Sequence, residues 1–363
     1  MTFYQMIQYD PAAIRAMIAK TDAPEEKRRW RLAMFVRSLL IVVFAIAFIG
    51  LMTALFGSAN SSMAVSIFCI LLASRFVGFG YRIKDSLFAM FVAFALLFGA
   101  PILASLRPSP LLTFVIHFCA LLLIIALTCE NPSLGNGGLY SFAYIFLCGN
   151  PVYGQDLIGR LEMTVVGYVL CAIVLWRNHR NANPDRTLGM VFHEFTLYNY
   201  KCQWQLRLTL GVSLLLTIFS LFVVPRYMWA GFACGSLLSD AQIEDRIHEK
   251  KRDRILGVIA GSLLFYVVYK ILPPQLYPLL GPVGGLCLGL CSEYRHKTML
   301  NCFGALSLAA GLYGLKDAVI LRIGLTIAGV LFAMLFYWLY DRFIMVHFLP
   351  EAQKRTMNRA QNQ

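Results

Sequence analysis

The sequence predicts an all-α membrane protein of about twelve transmembrane helices, arranged as two parallel six-helix repeats. Three observations carry that expectation. Apolar residues fall in long blocks separated by short polar stretches. Lys and Arg concentrate in alternate stretches between the blocks. An Arg–Thr–Gly pattern recurs at identical spacing, at Arg160, Thr164 and Gly167 and again at Arg322, Thr326 and Gly329.

Composition comes first. Apolar residues make up 59% of the 363-residue chain and charged residues 14%, with a mean hydropathy of +0.66. Soluble globular chains carry about a quarter charged residues. Soluble helices also need a polar face, which most of these blocks lack. The net charge of +13 would suggest nucleic acid in a soluble chain. Here the basic residues lie between apolar blocks and no basic face accompanies a soluble fold, so topology is the reading and nucleic acid is not an expected partner.

Taken in order, residues 1–32 read as a cytoplasmic amphipathic segment. Ile14, Met17 and Ile18 stand against Arg15 and Lys20, which suits a helix lying on the membrane. No short apolar region with a small-residue cleavage site precedes the first block, so no cleavable signal peptide is expected. The first repeat, 33–177, holds the spans Ala33–Phe56, Ser62–Gly80, Ser86–Leu106, Pro110–Cys129 and Leu157–Trp176. Leu139–Val152 between them reads as a short or broken span. Residues 178–205 form a cytoplasmic linker, where Phe192, Phe195, Leu197 and Tyr198 suggest a short amphipathic helix. The second repeat, 206–344, holds Leu206–Val224, Tyr227–Ser239, Ile255–Leu272, Leu276–Cys291, Met299–Leu315 and Ala318–Tyr340. Residues 345–363 are a cytoplasmic tail.

Charge orients the chain. If every block crosses once, Lys27, Arg28, Arg29, Arg31, Arg82, Lys84, Arg177, Arg180, Arg186, Lys201, Arg246, Lys250, Lys251, Arg252, Arg254, Arg295, Lys297, Arg342, Lys354 and Arg355 share one side. The other side receives Arg107, Arg226, Lys270 and Lys316. This places both termini in the cytoplasm and the protein in the inner membrane. Cys129–Gly138 fits poorly, since it is expected inside yet carries Glu130 and no basic residue. With an even number of spans per half, the repeats share one orientation, and such repeats place a pathway at their interface.

An ionisable residue inside a membrane is a functional candidate by default. Arg160 and Arg322 stand about one turn inside equivalent spans. Together they offer a paired cationic site for a carboxylate; snorkelling to the headgroups is the alternative. Glu162 is a candidate ion-pair partner, although a spacing of two does not share a helix face. Arg75 faces a cytoplasmic vestibule or snorkels. Arg37 and Arg207 lie where topology alone explains them. His117 inside the fourth block, with Glu162 and Asp240, are the proton-coupling candidates; a helix–helix hydrogen bond is the competing role for His117. Tyr227 and Trp229 suit an interfacial belt, and Trp229 also suits stacking on an aromatic ligand.

Other features read as structure. Gly257 and Gly261, and Gly281, Gly285 and Gly289, are small residues that let helices approach. Pro101, Pro151 and Pro282 read as kinks. Most of the ten cysteines lie in or beside apolar runs and behave as small hydrophobes. Cys287 and Cys291 with Glu293 and His296 do not reach a zinc spacing, and His193-Glu194 lacks a second His at the metalloprotease spacing. No phosphate-cradling loop or catalytic triad pattern is present, so no metal, cofactor or enzyme activity is expected.

The stretch Arg226-Tyr-Met-Trp-Ala-Gly-Phe, running through Ser239 to Arg252-Asp-Arg-Ile-Leu-Gly-Val-Ile-Ala-Gly, resembles the fusaric acid resistance (FUSC) family. Trp229, Ala230, Arg254, Gly257 and Gly261 carry the likeness, which is clearest over Leu206–Leu272. Ser62-Met-Ala-Val through Arg82-Ile-Lys-Asp is a fainter version. That family includes aromatic acid exporters and is related to plant malate channels. The resemblance implies six-helix modules, two per functional unit, around a pathway for organic anions, and a periplasmic adaptor (membrane fusion) protein as partner. Many relatives carry a large soluble cytoplasmic domain, which here only Asn178–Trp204 and a short tail could supply. The expected function is export of small organic carboxylates, aromatic ones included, from a monomer or homo-oligomer. A passive anion channel and a non-transporting scaffold are the alternatives. A major-facilitator fold is disfavoured by the short second-half spans and the missing Gly-x-x-x-Asp-x-x-Gly-Arg loop.

Overall fold

The computed structural model describes residues 1–241 and 243–345, without the side chains of 243–246 and 345. The expected tail and the Arg246 side chain lie outside the described residues. In chain order the helices are α1 (Phe3–Met6), α2 (Pro11–Lys20), α3 (Pro24–Phe56), α4 (Ser61–Ser74), α5 (Ile83–Ser105), α6 (Pro110–Thr128), α7 (Asn136–Cys148) and α8 (Gln155–His179). They continue with α9 (Leu188–His193), α10 (Tyr200–Leu221), α11 (Met228–Leu238), α12 (Ile243–Ile271), α13 (Leu280–Gly289), α14 (Tyr294–Tyr313) and α15 (Leu315–Tyr340). The described residues are therefore all-helical, and each apolar block of the sequence forms one helix.

Length divides these helices. Among the described residues seven are long and apolar enough to cross a membrane, namely α3, α5, α6, α8, α10, α12 and α15. The other blocks fall short. α4, α7, α11 and α13 have 14, 13, 11 and 10 residues, about 15–21 Å at the helical rise. The hydrocarbon core is about 30 Å thick. α14 has 20 residues, but its opening Tyr294-Arg-His-Lys is polar. Apolar composition therefore marks each helix correctly but does not give its length.

The chain divides into two compact units. One comprises Met1–Gly50 and His248–Ile327, the other Leu51–Ile247 and, among the described residues, 328–345. In the first unit, Ile14 of α2 packs with Met6, Trp30 and Ala33. The apolar face that suggested a membrane-surface helix is thus turned partly onto the start of α3. Arg15 donates to the Leu290 carbonyl at 3.0 Å, and Ser38 to that of Leu286 at 2.6 Å. Glycine makes the α12–α14 approach possible: a Cβ on Gly261 would lie 2.2 Å from the Met299 carbonyl oxygen, and one on Gly257 2.7 Å from that of Arg295.

The second unit is built around α7, which touches α4, α5, α6, α10 and α11. Tyr140, Ala143, Tyr144, Ile145 and Leu147 of α7 are all buried. The connections of this unit gather at two ends. At one end, Glu130 is paired with Lys201 at 3.0 Å and with Arg186. There the Arg82 amide donates to the Arg186 carbonyl at 2.9 Å, and the Leu188 amide to Asp85 at 2.8 Å. The Tyr200 hydroxyl bonds the Ala241 carbonyl at the same end. At the other end, Arg160 joins Asn60 and Asn150, and Tyr227 donates to the Cys148 carbonyl at 2.7 Å. Successive connections alternate between these ends, so α4, α7 and α11 run the length of the unit despite being short. The Glu130 pairs also account for the acidic Cys129–Gly138 loop, which is neutralised by the basic linker.

Candidate functional site

Arg160 lies in the second turn of α8 and is 1% exposed. Its guanidinium is surrounded by oxygen acceptors from three other segments. Nε donates to Asn60 Oδ1 at 3.0 Å, Nη1 to the Asn150 carbonyl at 2.9 Å, and Nη2 to Ser62 Oγ at 3.2 Å and the Ala59 carbonyl at 3.5 Å. Asn60 is itself fixed, donating from Nδ2 to the carbonyls of Phe56 at 2.8 Å and Asp156 at 3.0 Å. Gly159 lets α8 come this close, because a Cβ there would lie 2.4 Å from the Phe56 oxygen. The acceptors are all neutral, and among the described residues no carboxylate lies within ion-pair distance of Arg160. The carboxylate in electrostatic reach is Asp156, so the guanidinium is bonded to neutral acceptors with one acid close by.

Arg322 lies on α15, in the other unit, and is 2% exposed. It lies against Cys302 of α14 and within electrostatic reach of Arg254 of α12. Cys302 also contacts the Val258 carbonyl at 3.8 Å, one turn along α12 from Arg254. Arg254 Nη1 in turn donates to the Tyr294 hydroxyl at 3.3 Å. The two arginines paired by sequence thus fall in separate units, each held by its own neighbours.

The remaining candidates are dispersed. His117 is buried, and its Nδ1 lies 3.0 Å from the Tyr144 hydroxyl and 3.9 Å from Cys148 Sγ. This is the hydrogen bond between helices that the sequence left open, and it joins α6 to α7. Trp229 is buried in α11, away from an interfacial exposure. Arg75 is exposed at the end of α4, its guanidinium 5.3 Å from the Phe76 ring. Glu162 is exposed on α8 and takes no part in the Arg160 contacts. Asp240 is half-buried, and its carbonyl accepts from Arg207 Nη2 at 3.1 Å.

Arg207 and Asn60 are the residues that sequence reasoning undervalued. Arg207 is completely buried. It bonds the last carbonyls around α11, Leu238 at 3.5 Å and Asp240 at 3.1 Å, and lies over the Tyr337 ring at 5.6 Å. A cation at a helix C-terminus is favoured by both the free carbonyls and the dipole. In sequence, an arginine at the start of an apolar block reads the same whether it snorkels or caps another helix. Asn60 gives no signal before the fold brings Arg160 to it.

Two glycines of the recurring pattern lie at close helix contacts. A Cβ on Gly167 would lie 2.4 Å from Ile67 Cδ1 of α4, and one on Gly329 2.2 Å from the Ala230 carbonyl oxygen of α11. Gly167 thus seats α8 on α4, and Gly329 seats α15 on α11.

Residues 208–336 match the family model described as fusaric acid resistance protein-like. The match contains the stretch from Arg226 to Gly261 that carries the resemblance and runs on into α15; the fainter first-half likeness lies outside it. No curated protein and no solved structure matches the chain. The match is confined to residues 208–336, and the seven candidate spans among the described residues make this a multi-span membrane protein with a stretch similar to that family.

Proposed function

We propose that this multi-span protein, with its fusaric acid resistance protein-like domain at residues 208–336, exports small organic carboxylates, aromatic ones included, across the inner membrane. The observation that carries this reading is the burial of Arg160 and Arg322 within apolar helices. A charge so placed is costly and is retained where it serves a pathway. Each arginine supplies an anion-binding position in its own unit. His117, hydrogen-bonded to Tyr144, is the candidate for proton coupling. Trp229 and Arg75 are retained as substrate contacts, and Glu162 and Asp240 as proton carriers, on sequence grounds alone.

The repeat reading, with about twelve crossings of which five are short, draws support from the matched seats of Gly167 and Gly329. The orientation, with both termini cytoplasmic, draws support from the gathering of the basic linker and the expected inner loops at the Glu130 end. A periplasmic adaptor would then meet the Arg160 end.

The test is efflux of labelled benzoate from cells carrying the Arg160→Gln/Arg322→Gln double variant. Efflux is expected to fall to background, with membrane insertion unchanged. Because Arg160 also braces its unit, Arg322→Gln alone is measured alongside and is expected to lower efflux at least about tenfold, the loss of one charged hydrogen bond. Wild-type efflux in the double variant overturns the proposal.

A further inference from the structure

The stretch that joins α8 to α10 in the second unit carries an uncovered apolar patch. Met190, Phe192, Phe195, Leu197 and Tyr198 are 37–68% exposed, whereas Val191 between them is buried. Single exposed apolar residues are ordinary, but a run of large ones marks a surface that meets something other than water. Trp176, near the end of α8, is exposed beside them in sequence. The apolar residues of α2 pack onto the start of α3; those of this segment are left open.

Two observations say what covers it. The first is position. The Leu188 amide donates to Asp85 at 2.8 Å, and the Arg82 amide to the Arg186 carbonyl at 2.9 Å. Both bonds pin the segment to the start of α5, a candidate membrane span. Residues three apart share a helix face, so Phe88 and Phe91 continue the Asp85 face along α5. Both are exposed, which makes this the lipid-facing side of the span. The segment is therefore held one turn beyond a lipid-facing stripe, where hydrocarbon gives way to headgroups. The second observation is charge. Lys84, Arg177 and Arg180 are exposed, and among the described residues none of them is paired with a carboxylate. The acids around them are mostly engaged, Asp85 by Arg82 at 2.9 Å, Glu130 by Lys201 at 3.0 Å and Glu194 by Arg186 at 2.6 Å; Asp185 is the exception. Arg180 also lies over the Trp176 ring, 5.4 Å from its centroid. Open rings beside unpaired cations are the composition of an interfacial segment: the rings enter the acyl boundary and the cations meet phosphates.

We infer that residues 188–198 dock onto the surface of the bilayer that α5 crosses, with Lys84, Arg177 and Arg180 gathering anionic phospholipids around them. The occupant is lipid because the patch continues the lipid-facing side of α5. It is anionic lipid because the unpaired charges beside the patch are positive. Glu194, within the docked segment, bonds Arg186, which also pairs with Glu130. Lipid docking therefore adds to the hold on the connection between α8 and α10. The inference goes beyond the carboxylate-export reading and does not depend on it.

The test is photocrosslinking of the full-length protein, with p-benzoylphenylalanine replacing Phe192, Phe195 or Asp185, one at a time. Each protein is irradiated in native membranes, and in nanodiscs of mixed phosphatidylcholine and phosphatidylglycerol at one copy per disc; adducts are identified by mass. Positions 192 and 195 are expected to yield phospholipid adducts, and the polar position 185 several-fold fewer. Phosphatidylglycerol adducts are expected to exceed its share of the disc by about fivefold, the pull of one basic side chain near the surface. Arg177→Gln/Arg180→Gln is expected to bring that excess down toward parity while the thermal midpoint holds. Should this pair lower the midpoint, Lys84→Gln on α5 supplies the charge test instead. The inference is overturned by an absence of lipid adducts at 192 and 195, or by equal yields at 185. It is also overturned by an excess that the charge variants leave unchanged, or by adducts in native membranes to a second copy or another protein in place of lipid. Failure of export leaves a positive result intact, because the adducts report lipid contact alone.

Discussion

Asn60→Ala probes the Arg160 cradle without touching the arginine. Asn60 is fully buried and makes three hydrogen bonds there: from Arg160 at 3.0 Å, and to the carbonyls of Phe56 at 2.8 Å and Asp156 at 3.0 Å. The bond to a charged donor contributes about 1.5–3 kcal/mol and the neutral ones about 1 kcal/mol each in aqueous proteins. Hydrogen bonds in membrane proteins average nearer ~0.6 kcal/mol. Together these bracket the loss at about 2–5 kcal/mol, a fall of roughly 5–15 °C in thermal midpoint for a unit of this size. The assay is fluorescence-detected unfolding of the detergent-solubilised chain. Asn60→Asp keeps the acceptor and adds an ionic partner for Arg160, at the expense of the two donated bonds, so its loss should be smaller than that of Ala. A midpoint within about 1 °C of wild type for Asn60→Ala, or a larger loss for Asp than for Ala, would refute the cradle as the anchor of α8.

Two further substitutions test the packing and the orientation. Gly167→Ala and Gly329→Ala should both destabilise, and Gly329→Ala more, since Ile67 can shift a terminal methyl whereas the Ala230 carbonyl belongs to a helix backbone; about 1–3 kcal/mol is expected for overpacking, read from thermal midpoints. Glu130→Gln removes the partner of Lys201, both side chains being 12% exposed, and should cost about 2–4 kcal/mol; trypsin should then cut the 178–205 linker faster in inside-out vesicles, and an unchanged cleavage rate would contradict its anchoring role.

Much of the helical layout was legible in the sequence because apolar runs and their polar punctuation are local properties. Every block from Ala33–Phe56 to Ala318–Tyr340 became a helix, and Arg160 and Arg322 were legible as charges inside such blocks, but whether they are buried or snorkel was not. Helix length was less legible. The block Ser62–Gly80 stops being helical after Ser74, and apolar residues in an extended connection have the same hydropathy as those in a helix. Long-range partners were not legible at all. Glu130 meets residues 56 and 71 positions away, and nothing near it announces Arg186 or Lys201. The same holds for Arg254, whose local pattern explains the close packing at Gly257 and Gly261 but not its approach to Arg322. His117 was legible as a polar residue in an apolar helix, and its partner Tyr144 became visible only once α7 was placed beside α6.

The central claim is coupled export of carboxylate anions. It is tested most directly by reconstituting the purified wild-type chain into proteoliposomes and following labelled benzoate, corrected for leak through protein-free vesicles, with and without an imposed pH gradient. The account predicts protein-dependent flux that the gradient accelerates and that His117→Gln uncouples from it. Flux of equal rate in the absence of a gradient, carried as electrical current, would make the protein a passive channel, and no flux above leak would contradict transport altogether.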